Sequence, residues 1–275
     1  MEYGIIVHDV ALLPLDPRVV CAASWRDILP PGPLRAIYFG SEFCEFLLPD
    51  AAQVTRFCVH ARDAGVDPVL LTPVATPGGL VRIKQLLSDL AAAGDAPAVV
   101  FNDWGVATLL RESFPALQRR AGRLINRGIR DPRLMAQEPL AKNIPGERGK
   151  QLRSMLVHFG VSALETDPDL EGGFLGDGAE GMQRVLYLPY AFAASSRNCL
   201  IKADSTLTID ASFTKGLSHP CSGMCRGESH RIERSDTPLP LWRSGNTVFF
   251  EVPGFCAEFH LAQADRIVLH ERPTS

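Results

Sequence analysis

The sequence predicts a single α/β domain built as a (β/α) barrel or a TIM-barrel-like variant. Three observations carry that expectation. The chain has 275 residues, a size at which one barrel buries most of its apolar surface without staples. About eight buried strand candidates alternate with amphipathic helices, the pattern of a parallel sheet. Residues with chemistry to offer fall repeatedly just after those strands, where a parallel barrel gathers them at its C-terminal rim.

Residues 1–33 carry Pro14, Pro17, Pro30, Pro31 and Pro33 and read as an irregular lead-in with a short helical piece around Ala22 to Leu29. The barrel-like domain is expected over 34–275. Leu34 to Gly40 reads as a buried strand closed by glycine, with Cys44 close behind it. Pro49 to Ala64 has helical spacing at Ala52, Val54, Phe57, Cys58 and Ala61, and Gly65 is its stop. Cys58 on that apolar face reads as core. A second strand, Pro68 to Thr72, precedes a helix from Gly79 to Ala93 with Leu80, Ile83, Leu86, Leu87 and Leu90 on one stripe. The third strand, Ala98 to Phe101, runs into Asn102 and Asp103 and a helix over Val106 to Ser113. A fourth, Gly122 to Ile125, leads into the arginine-rich stretch that ends at Arg133. After a polar connection over 134–148 and a helix from Lys150 to Phe159, strands follow at Val161 to Glu165 and Arg184 to Leu188. Thr247 to Val252 and Asp265 to His270 complete the set.

The balance of 28 basic to 31 acidic residues gives a net charge of -3, so the chain has no general field for nucleic acid, which is not expected as a partner. The start has no basic segment followed by an apolar one, and no apolar run reaches the length of a membrane span. A cytoplasmic protein is expected. Seven cysteines are an odd number for a disulfide framework, and clustered thiols kept reduced point to metal.

Cys199, Cys221 and Cys225 lie in the segment 190–230, read as a ligand-bearing loop. Cys44 follows a strand, so rim convergence brings it to the same place and completes a set of four. Zinc and iron-sulfur both accept four thiolates. Structural zinc commonly takes two close pairs, whereas this chain has one, Cys221 and Cys225, plus two remote cysteines; that pattern suits the larger iron-sulfur cluster. Zinc with His219 or His230 as a fourth ligand is the alternative, and cysteines with no metal the bland reading. Asn102 and Asp103 at a strand end could orient a substrate or simply cap the next helix. Arg123, Arg127, Arg130 and Arg133 could clamp a carboxylate or phosphate bidentately, or pair with Asp131. Phe43, Phe46 and Trp242 are candidate exposed aromatics for an interface. Gly172, Gly173, Gly176 and Gly178 do not form a dinucleotide fingerprint, and there is no Ser/His/Asp signature of hydrolases.

The run Phe101-Asn102-Asp103-Trp104-Gly105, the stretch Gly122-Arg123-Leu124-Ile125-Asn126-Arg127 and the segment Arg130-Asp131-Pro132-Arg133 resemble the collagenase-like peptidase family. Tyr38 to Cys44, taken with Cys199, Cys221 and Cys225, is similar to that family's UbiV-like branch. The resemblance runs from about Leu34 to about Arg226. It implies a barrel holding a [4Fe-4S] cluster on Cys44, Cys199, Cys221 and Cys225. It also implies a part in oxygen-independent hydroxylation of an aromatic ubiquinone precursor, alongside a UbiU-like sister subunit and with prephenate as oxygen donor. Asn102, Asp103, Arg123, Arg127 and Arg133 are then the expected substrate-binding residues. A non-catalytic subunit with a structural cluster or zinc, or a peptidase, are the competing functions.

Overall fold

The computed structural model describes residues 1–275 except 9–12, 15, 127, 129, 136–146, 170–180, 198, 200–220, 222, 224 and 274–275, with backbone alone at 135, 147–150 and 259. Eight parallel strands close into a ring. They are β1 (Glu2–Ile6), β2 (Leu34–Gly40), β3 (Asp67–Leu71), β4 (Ala98–Phe101), β5 (Arg119–Ala121), β6 (Val161–Thr166), β7 (Gln183–Leu188) and β12 (Arg266–Leu269). Between β7 and β12 the chain builds a second, antiparallel sheet from β8 (Tyr190–Ser195), β9 (His230–Ile232), β10 (Leu241–Ser244) and β11 (Thr247–Glu251), in the order β8-β11-β10-β9. The helices are α1 (Ala23–Ile28), α2 (Ala51–Ala64), α3 (Pro77–Ala93), α4 (Trp104–Ser113), α5 (Pro132–Met135), α6 (Glu147–His158) and α7 (Gly254–Leu261). This is the TIM-barrel-like α/β domain expected. Among the described residues no helix is long and apolar enough to cross a membrane.

Three elements differ from expectation. The lead-in is not irregular throughout: β1 pairs with both β12 and β2 and closes the ring, because Tyr3 and Ile5 bury outward against the helices while Gly4 lets the Tyr38 ring approach from inside. Thr247–Glu251 is a strand of the inserted sheet and not of the barrel, so β1 supplies the eighth barrel strand in its place. The fourth expected strand lies earlier, at Arg119–Ala121. Residues 123–125 form a turn, since Ile125 N–H closes back on the Gly122 carbonyl at 3.0 Å.

Local chemistry sets the helix ends. Asp50 and Gln53 form a reciprocal capping box at the start of α2, and Gly65 ends it in the left-handed conformation. Thr76 caps α3 directly before Pro77. Phe39 stacks on Phe57 at 4.7 Å and fastens β2 to α2. Inside the ring Ala36, Val69, Leu71, Val100, Ala163, Val185 and Val268 surround Tyr38 and Tyr187. Below them Arg120 reaches Glu165 at 2.6 Å and the Tyr38 hydroxyl at 3.1 Å. A buried arginine in a short strand is affordable because its charge is matched there.

Gly40 turns the chain out of β2 toward Cys44. Its φ is +114°, and a Cβ there would stand 2.4 Å from the Leu71 carbonyl oxygen. Gly40→Ala is therefore expected to destabilise by about 2 kcal/mol or more, since backbone strain and a backbone clash combine. Urea unfolding measures it, and an unchanged midpoint would show that this exit is not strained.

Candidate functional site: four thiols between the barrel rim and the inserted sheet

The loop leaving β2 is fixed on both sides of Cys44. The Cys44 N–H donates to Ser41 Oγ at 3.1 Å. Glu45 accepts from the Thr76 N–H at 3.1 Å and lies 3.4 Å from Arg82, which places its carboxylate over the N-terminus of α3, where negative charge is favoured. Phe43 is clasped between Phe192 and Phe249 of the inserted sheet, with centroids at 5.2 and 5.5 Å. Sequence order thus hands Cys44 to the inserted sheet.

Cys44, Cys199 and Cys225 are buried and Cys221 is half-buried. Burial pushes the Cys44 thiol up to about 11; a hydrogen bond from the Phe46 backbone works the other way, and the charges of Cys221, Cys225 and Cys199 push it further. Cys225 is raised by burial and then by Cys199 and Cys221. Cys44 and Cys225, far apart in the chain, each feel other cysteines of the set. Cys221 Sγ accepts the Gly223 N–H at 3.3 Å, and Leu47 packs with Cys44 and Cys225 as an apolar wall. Among the described residues no three His, Cys, Asp or Glu side chains are arranged to hold a metal ion. His230 is exposed on β9, and His219 lies outside the described residues. Cys21 and Cys58 are core, their thiols pushed up to about 12 chiefly by burial.

One residue that spacing could not reveal joins the two cysteine-bearing segments. Asn246, in the turn between β10 and β11, donates from Nδ2 to the Phe43 carbonyl at 2.8 Å and to the Ser196 carbonyl at 2.6 Å. Phe43 adjoins Cys44, and Ser196 lies just before Cys199. Asn246→Ala removes both bonds and is expected to destabilise by about 1–3 kcal/mol, with faster proteolysis near Cys44 and Cys199. Asn246→Asp, which lacks the amide donors, should behave like the alanine variant; wild-type protection in both would remove the clamp.

Beside the thiols, a buried ionic layer fills the barrel mouth. Arg123 is fully buried; it makes a close ion pair with Glu42 and reaches Asp167 at 2.8 Å. Its guanidinium lies 4.2 Å from the Tyr187 ring centroid and 5.3 Å from that of Phe43. Burial works against the charged form of Arg123, but Asp167 and Glu42 outweigh it. Glu42 is held above the usual carboxylate range, burial outweighing Arg123.

His270, beside Tyr187 and Tyr190, is pushed from 6.5 down to about 3 by burial and by Arg123. Between those values the unfolded chain binds a proton that the folded chain excludes. The stability from neutral His270 is whole above pH 6.5 and is lost as pH falls toward 3, by up to about 1.4 kcal/mol per pH unit. His270→Gln should flatten that slope in urea midpoints taken from about pH 7 to about pH 4. An equal slope in the variant would assign the loss to other groups.

No protein-family model matches the chain. No curated protein sequence matches it. Among solved structures, that of the U32 peptidase Mk0906 is similar over 99% of this chain and 93% of that chain, with a TM-score of 0.46 and 12% identity. A likeness at that level adds nothing to the reading of substrate or chemistry.

The structure divides the residues expected to bind substrate. Asn102 is buried and holds backbone on both sides, donating to the Thr72 carbonyl at 3.0 Å and accepting the Leu124 N–H at 3.1 Å. Asp103 caps α4 through the Gly105 N–H at 2.7 Å. Arg123 grips the protein's own carboxylates, and Arg133 is a surface residue paired with Asp131 at 2.6 Å. Arg127 lies outside the described residues. Of the three aromatics read as exposed, Phe43 is buried, Trp242 is half-buried against Tyr190, and Phe46 is exposed. Glu42 and Asn246 were not singled out as site residues. Glu42 stands two residues before Cys44, in step with inward-facing Tyr38, and that alternation was the available signal.

Proposed function

We propose that the chain holds a [4Fe-4S] cluster on Cys44, Cys199, Cys221 and Cys225 and is the cluster-binding component of an oxygen-independent hydroxylation system for an aromatic substrate, working beside a sister subunit. The observation that supports the cluster is the packing of Cys44 against Leu47 and Cys225, from segments far apart in sequence, with Cys199 buried as well. Their chemistry fits: all four donors are soft, the wall at Leu47 is apolar, and backbone N–H groups of Phe46 and Gly223 already serve two of the sulfurs. When bound, the cluster would supply one-electron chemistry. The chain's own part is to shield the thiolates, hold their loops through Asn246 and Glu45, and release thiol protons on loading. The hydroxylation role rests on the resemblance of the cysteine set and the Asn102 to Arg133 motifs.

The test is anaerobic purification with iron, sulfide and zinc analysis and electron paramagnetic resonance of the reduced protein. About four irons and four sulfides per chain are expected; one zinc without sulfide would overturn the cluster. A second reading, a non-catalytic subunit with a structural cluster, is favoured by the plug at the barrel mouth, where Arg123 is fully occupied by Glu42 and Asp167. Turnover that responds only to changes in the sister subunit would select it.

A further inference from the structure

We propose that the cavity between α1, the end of β11 and the start of α7 is a binding site for a small organic ammonium ion with an apolar body, received by Glu251. The cavity has a volume of about 300 Å³, at the lower end of small-molecule sites. Glu251 closes β11 and is half-buried. Its Oε1 accepts the Trp25 indole N–H at 2.8 Å, and Trp25 belongs to the core, so a fixed ring holds the carboxylate in place. A neutral amide oxygen would serve that indole equally well. The charge itself goes unmatched. Among the described residues Glu251 makes no ion pair, and Arg26, the cation of α1, is turned to the Val19 carbonyl at 3.5 Å. Oε2 has no hydrogen-bond partner among the described residues and is not sealed off from solvent. The charge is felt inside the fold: Tyr190, opposite Glu251 across β8 and β11, is raised by burial and then by Glu251.

The rest of the wall selects the ligand. Among the described residues it carries no second charged side chain, and Ile28, Leu239, Pro240, Val252 and Pro253 supply an apolar lining suited to a ring or a short hydrocarbon body. Cation and body must arrive together. A bare cation gains only a solvent-screened contact with a half-buried carboxylate, and an uncharged ring leaves Oε2 desolvated without a donor. A primary ammonium answers both, giving one N–H to Oε2 while the others stay in water at the open side of the cavity. The inference is independent of the cluster, because its readout is ligand binding by the full chain at any measured iron content.

The experiment is calorimetric titration of the full chain at neutral pH and fixed ionic strength with benzylamine, with neutral benzyl alcohol and with ammonium chloride. Saturable benzylamine binding, with benzyl alcohol and ammonium much weaker, is expected. Glu251→Gln keeps an oxygen acceptor for the Trp25 indole and removes only the charge; it should weaken benzylamine by about tenfold or more, the equivalent of a lost charge-assisted hydrogen bond. Ser24→Lys is the second variant and serves if the glutamine variant does not fold. Ser24 lines the same cavity from an exposed position on α1, so the new ammonium competes for Glu251 from within the chain and should also weaken benzylamine. No benzylamine binding, equal binding of benzyl alcohol or ammonium, or wild-type affinity in either variant would each overturn the proposal.

Discussion

Arg123→Met should destabilise the protein by about 3–5 kcal/mol at neutral pH. The substitution keeps much of the side-chain volume but leaves Glu42 buried without its cation and Asp167 with only Arg130, 3.7 Å away. Loss of the guanidinium also takes away the cation facing the Tyr187 and Phe43 rings. The sign of the pH response identifies the cause. Without Arg123 nothing offsets the burial that already holds Glu42 above the usual carboxylate range, so its folded value rises further and part of the stability lost at pH 7 returns as pH falls. Adding Glu42→Gln and Asp167→Asn to Arg123→Met should restore part of the loss at neutral pH, since two neutral amides replace two buried charges. Urea unfolding of the single and triple variants measures both effects. A single variant as stable as the parent would mean that the ionic layer contributes nothing to the barrel mouth.

The second large effect concerns the metal content proposed above. Cys225→Ser and Cys44→Ser should each lose most of the bound iron and sulfide, because a buried hydroxyl replaces a thiolate on a closed set of soft ligands. Cys58→Ser is the control. Cys58 is equally buried on α2, so that variant should lose stability, by about 1–3 kcal/mol for an unpaired buried hydroxyl, while retaining its iron. Iron lost equally from all three would show that content follows general stability. Iron kept in Cys225→Ser would move the fourth ligand elsewhere.

The barrel was legible because buried strands and striped helices have different periods, and the pattern at Ala98–Phe101 or Ile83 to Leu90 admits one reading. Where the prediction slipped, a particular residue explains it. The strand at Glu2–Ile6 was hidden by prolines that dominate the following stretch, although Tyr3, Ile5 and Ile6 were apolar. β5 was displaced because Arg119 and Arg120 do not look like core; Arg120 is core only through Glu165, 45 positions away in the chain. Thr247–Glu251 was assigned to the wrong sheet because an apolar alternation does not say which neighbour it pairs with. The cysteines could be singled out by residue type, and their role as ligands is the proposal made above. Asn246 could not, since its partners are main-chain carbonyls of two remote segments and leave no spacing to read. Arg123 was found at the right place with the wrong partner: the carboxylates it meets belong to the chain itself.

The pairing of β1 with β12 also sets an order of events during synthesis. β1 has one neighbour once residues 34–40 exist, but its other edge stays open until residues 266–269 have been made. A strand edge waiting that long is an invitation to mispair, and non-local closure of this kind is slow. A nascent chain stalled before residues 266–269 would thus carry an open edge on β1, the side of the ring that only the last strand can cover.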